Sequence, residues 1–249
     1  MNPGWKLNIV MPMAGLGSRF RQAGFAAPKP LIEVRGRPMY AWATESLPLE
    51  KSTRLIFILL ATQPEFPGLK RDIEVRYAKH QPVILTVPEL TAGQAITVLR
   101  AKEFINNDEP LLIHNADTAF DVDPAWVERA WAEKLDGALL VFPSQEKRWS
   151  FSRENPAGLV GEVREKEVIS PWATTGAYWF RRGADFVTAA EARVNTGRRE
   201  ASEFYVGPLY NDLIARGARV KNFPIEKLYC FGTPEDLAAT LRDLEKAKG

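Results

Sequence analysis

Runs of mainly apolar residues constrain the fold of this chain more than any other feature of its sequence. Such runs predict buried strands at 7–12, 55–60, 83–87, 111–114 and 137–142. Segments with helical character separate most of them. Strands that are apolar on both faces and alternate with helices are typical of a mainly parallel sheet with helices on both faces. This part of the chain is therefore predicted to be α/β.

The pattern changes from about residue 155, where two strands of a different character predict a small antiparallel subdomain. The elements predicted in this part are strands at 158–169 and 173–180, helices at 185–193 and 202–215, a strand at 220–225 and a helix at 234–246. No linker rich in proline or glycine divides the chain. We predict a single domain over 1–249, with halves 1–145 and 146–249.

Charge and composition exclude several classes of protein. The chain has 249 residues, and 33 Lys and Arg against 31 Asp and Glu give a net charge of +2, which argues against a nucleic-acid binder. The longest strongly apolar run, 55–61, is far shorter than the roughly 18 residues of a membrane span. A lone cysteine, Cys230, excludes an internal disulfide framework, and with no signal-like start it predicts a cytoplasmic protein.

A glycine-containing loop, Ala14-Gly15-Leu16-Gly17-Ser18-Arg19, follows the first predicted strand. Glycines let backbone N–H groups surround an anion, and Arg19 adds a planar pair of donors suited to phosphate. A dinucleotide-binding loop is excluded because Phe20 stands where its third glycine would be, and no Gly-Lys pair of a P-loop occurs. The loop predicts a phosphate cradle, with a simple turn as the alternative.

Lys29 lies between two prolines, Pro28 and Pro30, in the long loop that follows. Prolines fix φ and disfavour both helical and central-strand geometry, so we predict a lysine on a stiff, extended segment. A charge held in this way can neutralise a transferring phosphate. The alternative is an ordinary solvated loop lysine.

Asp117 follows the fourth predicted strand, at the edge of the sheet where ligands bind in open α/β folds. Mg²⁺ bound through substrate phosphates needs only one or two protein oxygens, and Asp117 is our candidate ligand. An Asx turn is the alternative. The two histidines, His80 and His114, are not at ligand spacing, and we predict His114 to be packed and neutral.

The glycine loop and the Pro-Lys-Pro segment together resemble the signature of the sugar-phosphate nucleotidylyltransferases, the NDP-sugar pyrophosphorylases, which is G-x-G-x-R, a spacer and P-K-P. Further segments similar to that family are Gly93-Gln94-Ala95, Asn115-Ala116-Asp117, Glu165-Lys166, Thr175-Gly176 with the strand that follows, and Gly232-Thr233-Pro234-Glu235-Asp236-Leu237. The resemblance covers nearly the whole chain. It implies a Rossmann-like, GT-A-like nucleotidyltransferase fold.

The resemblance also implies an enzyme of the EC 2.7.7 type that requires Mg²⁺. Its reaction would join an NTP to a sugar-1-phosphate or a similar phosphorylated small molecule and release pyrophosphate. The first half would bind the nucleotide and the second half the acceptor. The implied site residues are catalytic Arg19, Lys29 and Asp117, the last also binding the metal; nucleotide-binding Ala14, Gly15, Leu16, Gly17, Ser18, Gly93, Gln94 and Asn115; and acceptor-binding Glu165, Lys166, Thr175 and Gly176.

One departure from the family pattern concerns the metal. Cys230 stands where many relatives carry an aspartate as a second ligand, and a thiol is a poor ligand for Mg²⁺. The second ligand is left open among water, a phosphate oxygen and an acid such as Glu226. The departure favours a capsule-type or phospho-alcohol cytidylyltransferase branch.

The sequence leaves open the base, the acceptor and whether the chain forms a homo-oligomer. Two other functions remain as alternatives. A glycosyltransferase that uses a nucleotide sugar would also carry an acid at a strand end. A non-catalytic nucleotide-binding sensor subunit would bind an NTP without turnover.

Overall fold

The computed structural model describes residues 6–200 and 202–246. Within these ranges the strands are β1 (Leu7–Met13), β2 (Glu33–Val34), β3 (Arg37–Pro38), β4 (Ser52–Leu60), β5 (Val83–Val87), β6 (Leu111–His114), β7 (Thr118–Asp121), β8 (Gly137–Pro143), β9 (Ser150–Glu154), β10 (Val160–Glu165), β11 (Trp172–Phe180), β12 (Val220–Pro224) and β13 (Lys227–Cys230). The helices of the same ranges are α1 (Ser18–Gln22), α2 (Met39–Glu45), α3 (Phe66–Arg76), α4 (Gln94–Leu99), α5 (Lys102–Ile105), α6 (Trp126–Ala132), α7 (Gly183–Thr196), α8 (Leu209–Ile214) and α9 (Pro234–Lys246). Residues 1–5, which bear on the expected absence of a signal peptide, lie outside the described residues.

One large sheet organises the fold, in the order β10-β9-β11-β6-β1-β4-β5, with β8 beside β11 and β12 beside β8. β1 runs parallel to β4 and β6, and β4 runs parallel to β5. β11 enters antiparallel to β6, and β9 and β10 form an antiparallel extension. The predicted α/β class and its small antiparallel part are confirmed, although the antiparallel strands continue the main sheet.

Helices cover both faces of the sheet, as predicted. Side chains of β1 alternate between the two faces, because successive residues of a strand point in opposite directions. Val10 packs into a core with α4, α5, α7 and α8, whereas Ile9 and Met11 pack into a second core with α2, α3 and α6. β1 is therefore buried from both sides, which explains why all of its residues except Asn8 are apolar.

A third, smaller core joins the two ends of the chain. Phe20 of α1 and Met39 of α2 pack there against Phe231, which follows β13, and Leu237 of α9. This core fixes the loop between β1 and α2 against the segment that contains Cys230. It therefore decides which residues face each other at the edge of the sheet.

The helix predicted at 202–215 is wrong in its first half, because α8 begins only at Leu209. The backbone before it is used in tertiary hydrogen bonds: the Phe204 N–H donates to the Ala92 carbonyl, and the Ala95 N–H donates to the Phe204 carbonyl. These bonds hold the segment extended beside α4. Pro208 directly precedes α8, and proline is well accommodated at the start of a helix because no N–H group is needed there.

Other differences concern lengths and missed elements. The strand predicted at 158–169 begins at Val160 and ends at Glu165. The sequence gives no prediction of α3, β7, β9 or β13. In α3 only Leu69 and Ile73 are buried, and a proline and a glycine stand in its first turn, so its apolar period is weak.

No helix of the described ranges is long and apolar enough to cross a membrane. The proposed division into halves at residue 145 remains a prediction. β6 and β8 precede residue 145, and β11 and β12 follow it, but all four strands belong to one sheet.

Arg193 of α7 is the centre of a buried charge network. Its side chain is only 4% exposed, and it pairs with Asp212 of α8 and, at 3.4 Å, with Glu200. Its Nη2 also donates to the Pro208 carbonyl at 2.7 Å. The network fixes α7 to α8 and to the segment before α8.

We expect Arg193→Ala to lower the free energy of unfolding by about 3 kcal/mol, because removing one partner of a buried ion pair leaves the other unpaired. Arg198 still pairs with Asp212 in the variant, so the expected loss lies at the lower end of the roughly 3–5 kcal/mol that breaking a buried ion pair costs. Urea denaturation measures it. The control is Arg182→Ala, which breaks an exposed pair with Asp185 and should cost less than about 1 kcal/mol. Equal losses in the two variants would contradict the prediction.

Candidate active site

A cleft of about 500 Å³ opens at the carboxyl ends of β1 and β6. Its volume lies within the range of small-molecule sites. The predicted residues that line it are Gly15, Gly17, Arg19, Lys29, Gln94, Asn115, Asp117, Glu165, Lys166 and Gly176. Residues from both ends of the chain and from the antiparallel extension thus meet in one place.

Five predicted residues do not line this cleft: Ala14, Leu16, Ser18, Gly93 and Thr175. Thr175 is fully buried, and its hydroxyl accepts a hydrogen bond from the Ala177 N–H at 3.2 Å. Gly93 has φ +139°, and a Cβ atom there would lie 2.5 Å from the backbone nitrogen of Phe204. Close backbone packing therefore accounts for this glycine, and the ligand contacts of the five remain predictions.

Residues 14–17 of the glycine loop lie between β1 and α1, whereas Ser18 and Arg19 begin α1, so a short helix forms inside the region predicted as a long loop. Gly17 has φ +61°, and a Cβ atom there would lie 2.8 Å from the Cβ of Lys29. Gly15 faces open space, and its carbonyl accepts a hydrogen bond from Gln63 Nε2 at 2.9 Å. The two glycines thus serve different purposes: Gly17 admits Lys29, and Gly15 leaves room in the cleft.

Lys29 begins a single 3₁₀ turn, Lys29–Leu31, so the prediction that its prolines exclude helical geometry is wrong. Pro30 stands near the start of the turn, where a missing N–H costs nothing. The Lys29 ammonium donates to Asp117 Oδ2 at 2.5 Å and to the Gly232 carbonyl at 3.0 Å. The predicted cation and acid are therefore in direct contact.

The charge of Asp117 is set by two opposing effects. Burial disfavours the ionised form, but the neighbouring Lys29 outweighs it and holds the pKa of Asp117 below its usual value. About a third of the side chain is exposed to the cleft. His114, three residues earlier, is fully buried, and burial lowers its pKa to about 4. The predicted packed, neutral histidine is confirmed.

The residues around Asp117 fit a metal site with a single carboxylate. Burial raises the pKa of the Cys230 thiol to about 12, so it stays protonated. Glu226 lines a different groove, beside Trp42 and Tyr229. No group of three or more His, Cys, Asp or Glu side chains that could hold a metal occurs in the described part of the chain. Mg²⁺ fits such a site when substrate oxygens and water complete its shell.

Asp236, another acid of the cleft, is already engaged. One of its oxygens accepts hydrogen bonds from the Thr233 N–H at 3.1 Å and from Arg148 at 2.6 Å. The Asp236 N–H in turn donates to the Thr233 hydroxyl at 3.2 Å, which makes a reciprocal cap at the start of α9. These contacts give Asp236 a structural role.

Glu165 and Lys166 both line the cleft although they are consecutive. Neighbouring side chains of an extended strand point to opposite faces, so a change of backbone direction is required. Lys166 provides it with φ +58°, a left-handed conformation that is rare outside glycine. Its N–H donates to the Trp149 carbonyl at 3.0 Å, and its ammonium donates to the Tyr205 hydroxyl at 2.8 Å.

Four residues that line the cleft are not predicted as site residues from the sequence: Arg148, Trp149, Ser150 and Tyr178. Tyr178 belongs to a strand whose sequence resembles the family, and this resemblance could have identified it as a site residue. Ser150 begins β9, a strand that is not predicted from the sequence. Gln94 and Asn115, by contrast, are brought together as hydrogen-bond partners at 2.5 Å.

The structure is an α/β fold with a polar cleft at the carboxyl ends of two parallel strands, and proteins of known class share this fold. A structure of similar fold is the nucleoside-diphosphate-sugar pyrophosphorylase from Vibrio cholerae RC9, with a TM-score of 0.82 and 29% identity over 94% of this chain and 99% of that chain. The sequence is also 24% identical, over 86% of this chain and 85% of the relative, to the UTP–glucose-1-phosphate uridylyltransferase AglF of Haloferax volcanii.

Two further structures share the fold. One is a putative glucose-1-phosphate thymidylyltransferase from Bacillus anthracis, with a TM-score of 0.76 and 19% identity over 95% of this chain and 94% of that chain. The other is a UDP-glucose pyrophosphorylase, with a TM-score of 0.75 and 14% identity over 98% of this chain and 99% of that chain. No protein-family model matches the sequence. The predicted resemblance to the sugar-phosphate nucleotidylyltransferases, and the enzyme class that it implies, are confirmed by these relatives.

We expect Gly17→Ala to destabilise the protein by about 1–2 kcal/mol, because it adds strain at positive φ and a contact with Lys29. Gly15→Ala adds a methyl group to open space, so it should leave the melting temperature unchanged. Thermal unfolding of the two variants measures the difference. Equal melting temperatures for Gly17→Ala and the unaltered protein would contradict the conclusion that Gly17 is required by its positive φ and by the closeness of Lys29.

Proposed function

We propose that this chain catalyses the Mg²⁺-dependent reaction of an NTP with a sugar-1-phosphate, or a similar phosphorylated small molecule, to give an NDP-linked product and pyrophosphate. The observation that carries the proposal is the contact of Lys29 with Asp117 beside the glycine loop, in the same cleft as Lys166. The names of the relatives support the same reaction, since they include uridylyl- and thymidylyltransferases that act on glucose-1-phosphate.

On the nucleotide side, Arg19 and the backbone N–H groups of the glycine loop would hold the leaving phosphates. The acceptor phosphate would attack the α-phosphorus in line with the departing pyrophosphate. Because the attacking oxygen is already an anion, no general base is needed, and the buried, neutral His114 is consistent with this. Catalysis would then rest on positioning and on neutralising charge, with Lys29 stabilising the α-phosphate.

Asp117 would hold Mg²⁺, which supplies positive charge to the phosphate oxygens when it is bound. On the acceptor side, the ammonium of Lys166 would attract the acceptor phosphate. Glu165 would accept hydrogen bonds from acceptor hydroxyl groups. Opposite charges at neighbouring positions would thus sort the phosphate and the hydroxyl groups of one small molecule to different parts of the cleft.

We also propose a cytoplasmic location, which the single cysteine, free in the structure, supports. A cytidylyltransferase that acts on a phospho-alcohol is retained as a second form of the same reaction, because Cys230 departs from the usual aspartate. The expected partners are an NTP and a phosphorylated small molecule, without nucleic acid or membrane.

The test is a matrix of ATP, CTP, GTP, UTP and dTTP against glucose-1-phosphate, other sugar-1-phosphates and phosphocholine, scored for pyrophosphate release. We expect release for one or a few pairs, only with Mg²⁺, and incorporation of labelled pyrophosphate into the NTP in the reverse direction. A glycosyltransferase would instead consume a nucleotide sugar and release no pyrophosphate. A sensor subunit would bind NTP and release nothing in any pair.

We expect Lys29→Ala to lower kcat by about 10²–10³-fold, because removing one group that stabilises transition-state charge has an effect of this size. The rate of pyrophosphate release at saturating substrates measures it, with circular dichroism to confirm folding. Lys70→Ala, on the exposed side of α3, is the matched control and should keep full activity. A folded Lys29→Ala variant with more than about a tenth of the original kcat would contradict the proposed role.

A further inference from the structure

The carboxylate of Glu165 is held by a side chain from the neighbouring strand. Ser150 at the start of β9 lies opposite Glu165 at the end of β10 in the antiparallel ladder. The Ser150 hydroxyl donates a hydrogen bond to Glu165 Oε2. Ser150 is only 8% exposed, and both residues line the cleft. One oxygen of the carboxylate is therefore occupied from within the protein.

Two further hydroxyl groups, both on β11, line the same part of the cleft. The Thr174 and Tyr178 hydroxyls are 3.1 Å apart, and both residues are buried. A Cβ atom added at Gly207 would lie 3.3 Å from the Tyr178 hydroxyl and 3.5 Å from the Ser150 hydroxyl, so both hydroxyls lie close to this glycine. β9, β10 and β11 thus contribute polar side chains to the part of the cleft where the acceptor is expected to bind.

We propose that Ser150 is a positioning residue that fixes the Glu165 carboxylate, so that its other oxygen, Oε1, accepts a hydrogen bond from a hydroxyl group of the acceptor. This inference rests on the proposed function. A carboxylate with one oxygen already bonded loses less rotational freedom when it binds a ligand. The remaining oxygen also accepts a hydrogen bond from only one direction. This favours a substrate that has a hydroxyl group at that point over its deoxy analogue.

The charged groups around Glu165 give this geometry a second consequence. Burial raises the pKa of Glu165, whereas the Ser150 hydrogen bond and Lys166 lower it, and Glu203 and Glu200 raise it further. Tyr178 is uncharged at neutral pH because burial raises its pKa to about 12. Removing the Ser150 hydroxyl therefore raises the pKa of Glu165, and the ionised carboxylate is lost at a higher pH than before.

The experiment compares Ser150→Ala with Ser152→Ala in the full chain. Ser152 is a matched control, because it lies on the same strand, is fully buried and donates to Asn222 Oδ1 at 2.8 Å, away from the cleft. UTP with glucose-1-phosphate is the probe pair, replaced by the best pair of the matrix if that is faster. Ser150→Cys is a second variant that removes the hydroxyl with little change of shape.

For Ser150→Ala we expect the acceptor KM to rise about five- to tenfold, the size of one lost hydrogen bond, with kcat changed less than about twofold. The acidic limb of the pH profile of kcat/KM for the acceptor should move to higher pH. The pKa of Glu165, followed by ¹³C NMR of its carboxyl group in the ligand-free protein, should rise. Ser152→Ala should change none of these quantities.

The outcomes separate this inference from the function on which it rests. If the unaltered protein releases no pyrophosphate in any pair, the proposed function and this inference both fail. If it turns over substrate but Ser150→Ala and Ser150→Cys match Ser152→Ala in acceptor KM and in the pKa of Glu165, only the positioning role is wrong. A fall in kcat as large as the fall in kcat/KM would also overturn it.

Discussion

The salt bridge between Lys29 and Asp117 is the interaction on which the rest of the site depends. It joins a loop near the start of the chain to the carboxyl edge of β6, and the Gly232 carbonyl adds a contact from near the end of the chain. The contact also keeps Asp117 ionised despite its burial. Gly17 allows it, because only a residue without a Cβ atom admits the Lys29 side chain.

Packing brings these three segments together. The small core around Phe20 and Phe231 holds the glycine loop against the segment after β13, so the cleft is closed on one side by residues more than 200 positions apart. The antiparallel extension closes the other side. There, the left-handed conformation of Lys166 and the hydroxyl groups of Ser150, Thr174 and Tyr178 add a second set of polar groups to the same cleft.

Most of the parallel sheet and the nucleotide side of the cleft follow from local sequence. Apolar runs predict β1, β4, β5, β6 and β8, and the glycine loop, Lys29 and Asp117 carry recognisable chemistry. The segment before α8 is mispredicted because its backbone bonds to distant residues, which local propensity does not report. Ser150 has no signal at all, since its role depends on a strand pairing that the sequence does not reveal.

By itself the sequence determined the α/β class, the loop that can surround an anion and the acid at a strand end, because these depend on hydrophobic period and local residue chemistry. Only the tertiary structure decided that Lys29 and Asp117 touch, that Cys230 stays a protonated thiol and that Glu226 faces another groove. These properties depend on burial and on distances between segments remote in the chain, and neither quantity is encoded in the spacing of residues along it.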